Sequence, residues 1–388
     1  MSHAQRARVQ TPNRNEFTAT ADAQGSSSLF TLLPAEIRQL IYTECWRISG
    51  NGSLRQHITT RNDAIDVNPH TRAIYKLAWT HAPCITNPDL PDVRYQSFQN
   101  ANPGTLDRAA WMQRLKTEWC LHWACEEADI AMLRASGGNG LPVPQTSSFL
   151  TILRTCKRMY LEALPSLYAS VTFVFTDLTE AGDFLARYTP DPPSPSPSLD
   201  QVLNPREEYP ATFRSIEICI RATNLLTELY FPYAEMAAPG VDGSASEGPL
   251  PVRSGGMRLS MENNPWARVC ALLARQQNLH ALRIWFDTRD LRPWHKRVSE
   301  ARLFAKLWDV RVKHREQFIL ALPELPERSS PDQEQDWVPF GLAPHHFLEG
   351  ERVEEAPFVV VRGPRPNNWR VHMGDRFGDR FLTDLRAV

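Results

Sequence analysis

The feature that most constrains the fold of this chain is a change of hydrophobic period within residues 149–175. From residue 152 to residue 168 the apolar side chains recur at helical spacing, and Pro165 is expected to divide this stretch into two helical pieces. Residues 171–175 then follow a period of two, which is typical of a strand. The stretch therefore predicts helical segments that lead directly into a strand.

The same alternation of helix and strand patterns continues toward the C-terminus. The predicted strands are 213–220, 280–286, 317–322 and 358–361, and the predicted helices are 181–188, 265–276 and 298–310. Strands that alternate with helices favour an α+β or α/β fold with some parallel pairing. A leucine-rich-repeat-like curve stays open, although the gaps between the strands are less even than in that repeat.

The N-terminal part predicts a disordered tail over residues 1–28, followed by an amphipathic helix. A helix start is indicated by Thr31 as cap and by Pro34 in the first turn. One face of this helix carries apolar residues at helical offsets, namely Leu33, Ile37, Leu40, Ile41 and Cys45. We expect the helix to end near Arg47, before two glycines.

Two further segments complete the N-terminal half. Residues 54–104 mix short apolar runs with several prolines, which predicts short strands and loops. From about residue 107 a stripe of side chains four apart predicts one long helix that ends at Gly137 and Gly138. The stripe consists of Trp111, Leu115, Trp119 and Trp123.

Composition excludes several classes of function. The 43 Lys and Arg residues balance 44 Asp and Glu residues, which disfavours a dedicated nucleic-acid binder. No apolar run approaches the roughly 20 residues that span a bilayer, so no membrane association is expected. The seven cysteines are scattered through hydrophobic segments and are interpreted as reduced thiols. We therefore expect a cytoplasmic or nuclear protein.

Two segments resemble a known family. Residues 32–42 resemble the Leu-Pro-x-Glu-Ile-Arg opening of fungal F-box-like proteins, many of which are catalogued only under a domain of unknown function. Residues 153–168, which read Leu-Arg-Thr-Cys-Lys-Arg-Met-Tyr-Leu-Glu-Ala-Leu-Pro-Ser-Leu-Tyr, are similar to the second hallmark of that group. The resemblance implies a helical hook that docks on a Skp-type adaptor of a cullin ubiquitin ligase, while the rest of the chain recruits a target.

This resemblance divides the chain into three parts. Residues 1–28 form the tail, and residues 29–176 form a split F-box-like helical region with the Trp-rich helix inserted in it. Residues 177–388 form an α/β body with flexible loops at 190–198, rich in Pro and Ser, and at 234–256, rich in Gly, Ala and Ser.

The candidate partner-binding residues are those of the first helix: Leu33, Pro34, Ile37, Leu40 and Ile41. An apolar helix face laid in a partner groove is a common recognition mode. The alternative is that this face packs against the Cys156 segment in the protein's own core, and this packing is the outcome we expect. The leading hypothesis is a non-catalytic protein-interaction module, and the alternatives are a ubiquitin-ligase substrate receptor and an enzyme with an unrecognised site.

No motif predicts catalysis, a cofactor, a metal or a small-molecule ligand. Cys120, His122 and Cys125 are potential zinc ligands, but we interpret them as core cysteines beside a partly exposed histidine. Basic residues between 362 and 370 are expected in a solvated loop, with nucleic-acid contact as the alternative. The tandem Gly-Asp-Arg-Phe repeat at 374–381 is expected to dock on the protein's own body.

Overall fold

The computed structural model describes residues 20–50, 52–63, 76–135, 148–189, 213–222, 264–288, 299–325, 347–348 and 351–365. Within these residues the strands form one seven-stranded mixed sheet. They are β1 (Arg55–Asp63), β2 (Lys76–Pro83), β3 (Thr172–Phe175), β4 (Ser215–Ala222), β5 (Ala281–Thr288), β6 (Phe318–Pro323) and β7 (Val359–Gly363). The predicted class, α+β or α/β, is therefore confirmed.

Strands are added to the sheet nearly in the order of the chain. The spatial order is β2-β1-β3-β4-β5-β6-β7. The β1–β2 pair is antiparallel, and every other neighbouring pair is parallel. Parallel neighbours need crossover connections, and helices supply several of them. The leucine-rich-repeat interpretation stays a prediction.

The α-helices in the described residues are short to medium in length. They are α1 (Ser28–Thr31), α2 (Ala35–Ser49), α3 (Arg94–Asn100), α4 (Leu106–Lys116), α5 (Trp123–Ala135), α6 (Ser148–Leu153), α7 (Lys157–Ser170), α8 (Leu178–Tyr188), α9 (Pro265–Ala274), α10 (Glu300–Leu303) and α11 (Glu351–Glu355). The 3₁₀ turns in this part of the chain are Cys120–His122, Ala305–Asp309 and Arg315–Gln317. None of the helices in these ranges is both long and apolar enough to cross a membrane.

The two faces of the sheet have different chemistry because neighbouring residues of a strand point to opposite sides. On one face, Ile216, Ile218 and Ile220 of β4 lie in the main hydrophobic core with β5 side chains such as Ile284. Helices α8 and α9 cover this face: Phe184 packs 5.7 Å from Phe173, and Trp266 packs 5.2 Å from Phe286.

The opposite face of the sheet presents polar side chains, among them Glu217 and Arg221 of β4 and Asp287 of β5. These side chains are buried because the segment from 84 to 135 lies over them. Arg94 reaches Asp287 at 3.1 Å, and Arg221 donates to the carbonyl oxygen of Thr117 at 2.5 Å. This second face holds the chemically reactive side chains considered below.

Helix α2 lies where the sequence predicts it but ends two residues later than expected. Its aromatic side chains Tyr42 and Trp46 are fully buried. Trp46 donates its indole N–H to Ser166 Oγ of α7 at 3.3 Å and packs 5.8 Å from Phe149 of α6. The two segments that carry the family resemblance are also in direct contact, since Arg38 of α2 donates to Glu162 of α7.

The prediction of one long Trp-rich helix is wrong. Helix α4 ends at Lys116, and the backbone at Cys120 has φ +52°, in the left-handed region, so the chain changes direction before α5. The turn places Trp123 edge-on against Trp111 with ring centroids 5.4 Å apart. The stripe of side chains four apart therefore runs from α4 through the turn to α5 and does not lie on one helix. The guanidinium of Arg114 stacks on the rings of both Trp111 and Trp123.

The predicted division at Pro165 is also wrong, since α7 continues through this residue. The chain divides instead at Cys156, whose extended backbone precedes α7 and whose Sγ accepts a hydrogen bond from the Met159 amide at 3.3 Å. A proline removes one helical hydrogen bond, and the burial of Ala163 and Leu164 in the core holds the helix together around it.

The strand after α7 and the four later strands are confirmed, with shifts of one or two residues at their ends. Residues 94–100 form α3 where the sequence predicts strands and loops. In place of the predicted helix 298–310, the described residues form the short helix α10 and the 3₁₀ turn Ala305–Asp309. The predicted loops 190–198 and 234–256, the Gly-Asp-Arg-Phe repeat and residues 1–19 of the tail lie outside the described residues.

Candidate functional site

Among the helices in the described ranges, α2 carries the most exposed large apolar side chains. Its exposed fractions are Ile37 42%, Leu40 66%, Ile41 36% and Ile48 63%. These four positions follow helical offsets of three, four and eleven, so their side chains lie along one side of the helix. Leu32, just before the helix, is 75% exposed, Pro34 is exposed and Leu33 is half-buried.

The expectation that this face packs into the core is wrong for Ile37, Leu40 and Ile41. The face of α2 that turns inward is the one with larger, hydrogen-bonding side chains. Tyr42 contacts Glu162 of α7 at 3.3 Å, and Arg38 Nε donates to the same carboxylate at 2.7 Å. These polar anchors, together with the indole of Trp46, orient the helix and leave its aliphatic stripe outside.

A second candidate site lies beneath the inserted segment, on the polar face of the sheet. Four buried side chains meet there: His57 of β1, Cys84 directly after β2, His122 of the 3₁₀ turn and Cys125 of α5. One potential ligand atom from each lies within 4.8 Å of the other three. Four different elements thus converge on one point.

The distances within this Cys/His cluster are short. Cys84 Sγ lies 3.4 Å from His122 Nδ1, Cys125 Sγ lies 3.9 Å from the same nitrogen, and the two sulfurs are 4.0 Å apart. The ring centroids of His57 and His122 are 4.7 Å apart, nearly at right angles. The hydrogen bond from the Cys84 thiol lowers the pKa of Cys125, so the first negative charge of the pair resides on Cys125.

The second ring nitrogen of His122, Nε2, faces the charged residue Glu217 of β4. His122 Nε2 lies 3.1 Å from Glu217 Oε1, and Glu217 forms an ion pair of 2.5 Å with Arg55. Burial by itself raises the pKa of Glu217, but the hydrogen bond from His122 and the charge of Arg55 outweigh it and lower the pKa to about 2. Glu217 is therefore a carboxylate that can only accept.

His57 is buried and differs from His122 in its contacts. In the described part of the chain neither of its ring nitrogens meets a hydrogen-bond partner of acceptable geometry. Its ring packs 4.7 Å from Trp119, and burial lowers its pKa, which keeps the imidazole neutral. A neutral imidazole has one nitrogen lone pair available to a ligand.

The sequence pattern found only half of this cluster. His122 and Cys125 were considered as ligands, but the expectation that His122 is partly exposed is wrong, since it is fully buried. Cys120, the third candidate, packs in a separate cluster with Cys219 and Trp285. His57 and Cys84 were missed because they are distant in sequence, and the only available signal was a Cys and a His close to strand ends.

The basic residues near the C-terminus are engaged with the body. Arg362 forms an ion pair with the buried Glu300 at 2.7 Å. The guanidinium of Arg365 lies 3.4 Å from the Trp285 ring centroid and donates to the carbonyl oxygen of Phe286 at 3.0 Å. Arg370 and Trp369 lie outside the described residues.

The fold is thus of the α+β or α/β class, with a buried Cys/His cluster on one face of the sheet. Residues 109–192 match the model of a family described as a domain of unknown function (DUF7730). This match begins within α4 and extends past the end of α8. It includes two residues of the Cys/His cluster, His122 and Cys125. No curated protein and no solved structure matches the chain.

Proposed function

We propose that this chain is a non-catalytic protein-interaction module that docks on a partner through the outer face of α2. The observation that carries the proposal is the exposed aliphatic stripe Ile37, Leu40, Ile41 and Ile48 on a helix whose opposite face is fixed to α7. The F-box-like resemblance of residues 32–42 and 153–168 names the partner class as a Skp-type adaptor of a cullin ubiquitin ligase.

Physical chemistry supports a docking role for this face. Aliphatic side chains in water raise the free energy of the free protein, and burial of each stabilises a complex by about 1.5–3 kcal/mol at most. Single exposed apolar residues are ordinary, but four of them on one side of a helix, with Glu44 as a charged residue between Leu40 and Ile48, are typical of a surface that meets a groove. The anchored rear face also means that α2 is already ordered before binding, which reduces the entropic cost of association.

A non-catalytic role is supported by the ion pairs that charged side chains of the sheet form with other residues of this protein. The half-buried Arg55 pairs with the buried Glu217, and Arg94 pairs with Asp287 within the protein interior. Such internally satisfied pairs stabilise an assembly of elements and are not directed at a substrate. The polar face of the sheet is accordingly interpreted as the framework that supports the interaction surface.

Binding of the purified full-length chain to a purified Skp-type adaptor, measured by isothermal titration calorimetry, tests the proposal. We expect a complex at micromolar concentration for the wild type. The Ile37→Asp, Leu40→Asp double variant is expected to weaken binding by about tenfold or more, because two charges would have to be desolvated in the groove.

The matched control is a Leu90→Asp, Leu106→Asp double variant, since these leucines are 62% and 89% exposed and lie off α2. We expect it to bind like the wild type. Circular dichroism of all three proteins separates lost binding from lost folding. The adaptor proposal is rejected when the folded wild type does not bind at micromolar concentration, or when the control variant loses affinity to the same extent.

A further inference from the structure

We propose that His57, Cys84, His122 and Cys125 bind one Zn²⁺ ion as a closed structural site. Two thiolates and two imidazoles are a ligand set that zinc takes in four-coordinate structural sites. The proposed site is independent of the docking face on α2.

The spacing of the ligand atoms fits a tetrahedral ion. Zinc bonds of about 2.3 Å to sulfur and about 2.0–2.1 Å to nitrogen place two sulfurs about 3.8 Å apart and a sulfur and a nitrogen about 3.6 Å apart. The corresponding distances here are 4.0 Å between Cys84 and Cys125, and 3.4 Å and 3.9 Å from these sulfurs to His122 Nδ1. An ion therefore fits among these atoms with shifts of a few tenths of an ångström.

His57 supplies an independent observation. Its ring is 1% exposed, and neither nitrogen has a hydrogen-bond partner among the described residues. A buried polar group in a folded protein is nearly always satisfied by a partner, so an unpaired one requires an explanation. A metal ion held between the His57 ring and the two sulfurs supplies a partner for one of these two nitrogens.

The surroundings of His122 determine which nitrogen faces the ion. Glu217 accepts only, so Nε2 of His122 keeps its hydrogen toward the carboxylate, and Nδ1 is the nitrogen that faces the two cysteines. A carboxylate behind a zinc-binding histidine fixes its tautomer and ring orientation. Arg55 holds Glu217 in turn, which extends the outer layer behind His122 to β1.

The sulfur of Cys125 is surrounded in a way that suits a thiolate. The Ile85 amide donates to it at 3.3 Å, and the Thr86 hydroxyl lies at 3.2 Å. Hydrogen bonds to a sulfur stabilise its charged form, which is the form that binds metal. The donor chemistry excludes Ca²⁺ and Mg²⁺, which take oxygen ligands.

Four protein ligands leave no position for water or substrate, so the ion would be structural and not catalytic. The ligands come from β1, the end of β2, the 3₁₀ turn and α5, and Glu217 adds β4. The ion would thus hold the edge hairpin and the inserted helices on the sheet. A disulfide between Cys84 and Cys125 is the competing use of the two sulfurs.

The experiment measures zinc in the full-length protein after exchange into metal-free buffer, by inductively coupled plasma mass spectrometry. We expect about one zinc ion per chain for the wild type, and a large loss for Cys84→Ser and for Cys125→Ser. The control is Cys45→Ser, because Cys45 lies on α2 away from the cluster, and it should retain the ion.

A second measurement does not depend on any variant. Replacement of zinc by Co²⁺ in the wild type should give the intense visible bands of a tetrahedral cobalt site with thiolate ligands. The proposal is overturned if the wild-type protein contains no zinc and its cobalt-treated form lacks these bands. A Cys84–Cys125 disulfide found by peptide mass spectrometry also overturns it. Full zinc retention in both folded serine variants also overturns it.

Discussion

Arg38 of α2 and Glu162 of α7 form an ion pair of 2.5 Å between two segments that are 124 residues apart in the chain. The guanidinium also donates to the carbonyl oxygen of Leu33 at 2.5 Å, which fixes the entry of α2. Both residues belong to the segments that carry the F-box-like resemblance. This contact joins α2 and α7 into one unit behind the docking face.

A double-mutant cycle with Arg38→Ala and Glu162→Ala should give a favourable coupling free energy from urea unfolding. The matched cycle uses Arg47→Ala and Glu44→Ala, an exposed pair on the same helix with a similar distance of 2.5 Å. Exposed pairs contribute little, so we expect the Arg38 cycle to give the clearly larger coupling. Equal coupling in both cycles contradicts the role of Arg38 as an anchor.

The two faces of α2 should differ in their effect on stability. Trp46→Ala removes a fully buried ring and is expected to lower the free energy of unfolding by about 3–5 kcal/mol. Leu40→Ala, at 66% exposure, is expected to change it by no more than about 0.5 kcal/mol. Chemical denaturation measures both values, and a large loss for Leu40→Ala would mean that this face is covered.

The inserted segment is held on the sheet by a buried cation. The side chains of Arg94 and Asp287 are both 0% exposed and pair at 3.1 Å. Arg94→Met removes the charge that faces Asp287 and should cost about 3–5 kcal/mol in urea unfolding. The control, Arg283→Met, breaks the more exposed 3.0 Å pair with Asp89 and should cost less than about 1 kcal/mol.

Glu217 is expected to act on zinc through His122. Glu217→Gln keeps the size of the side chain but removes the charge behind the imidazole, so zinc affinity should fall by about 10- to 100-fold. Competition with a chromophoric chelator measures the affinity. Glu180→Gln is the control, because Glu180 lies on α8 outside the Cys/His cluster. Unchanged zinc affinity for Glu217→Gln would leave the Glu217 carboxylate with a purely structural role.

Glu180 should give the folded state a pH dependence of a defined sign. Burial raises its pKa, partly offset by hydrogen bonds from Thr60 N and Oγ1. The pKa of Glu180 in the folded state lies above its unfolded value of about 4.3. The stability that protonated Glu180 contributes is therefore fully present below the unfolded pKa and is lost as pH rises through the folded pKa. Wild type should therefore lose stability relative to Glu180→Gln between acidic and neutral pH.

Glu44→Gln provides the control of opposite sign. The hydrogen bond from Arg47 lowers the pKa of Glu44, so its contribution is present above the ordinary carboxyl pKa and is lost as pH falls through the folded pKa. Unfolding curves of wild type and both variants across pH measure the two differences. Slopes of the same sign for both variants would contradict the burial of Glu180.

The sequence by itself determined most of the local structure. The period of two in residues 171–175 and the helical period before it predict α7 and β3, because side-chain direction alternates in strands and repeats every 3.6 residues in helices. The strand and helix order also indicates the α+β or α/β class. Local breaks were less predictable: neither the left-handed Cys120 nor the continuous helix at Pro165 follows from local propensity, because packing decides both.

Only the tertiary structure decided which side of α2 faces inward and which side chains meet at the sheet. A helical period shows that an apolar face exists but not whether that face is buried. The hydrogen bonds of Trp46 and Arg38 to α7 fix the opposite face of α2 toward the protein interior. His57, Cys84, His122 and Cys125 are neighbours only because β1, β2 and the inserted helices come together on one face of the sheet. Periodicity depends on residues within a few turns, whereas such a site depends on contacts between distant parts of the chain.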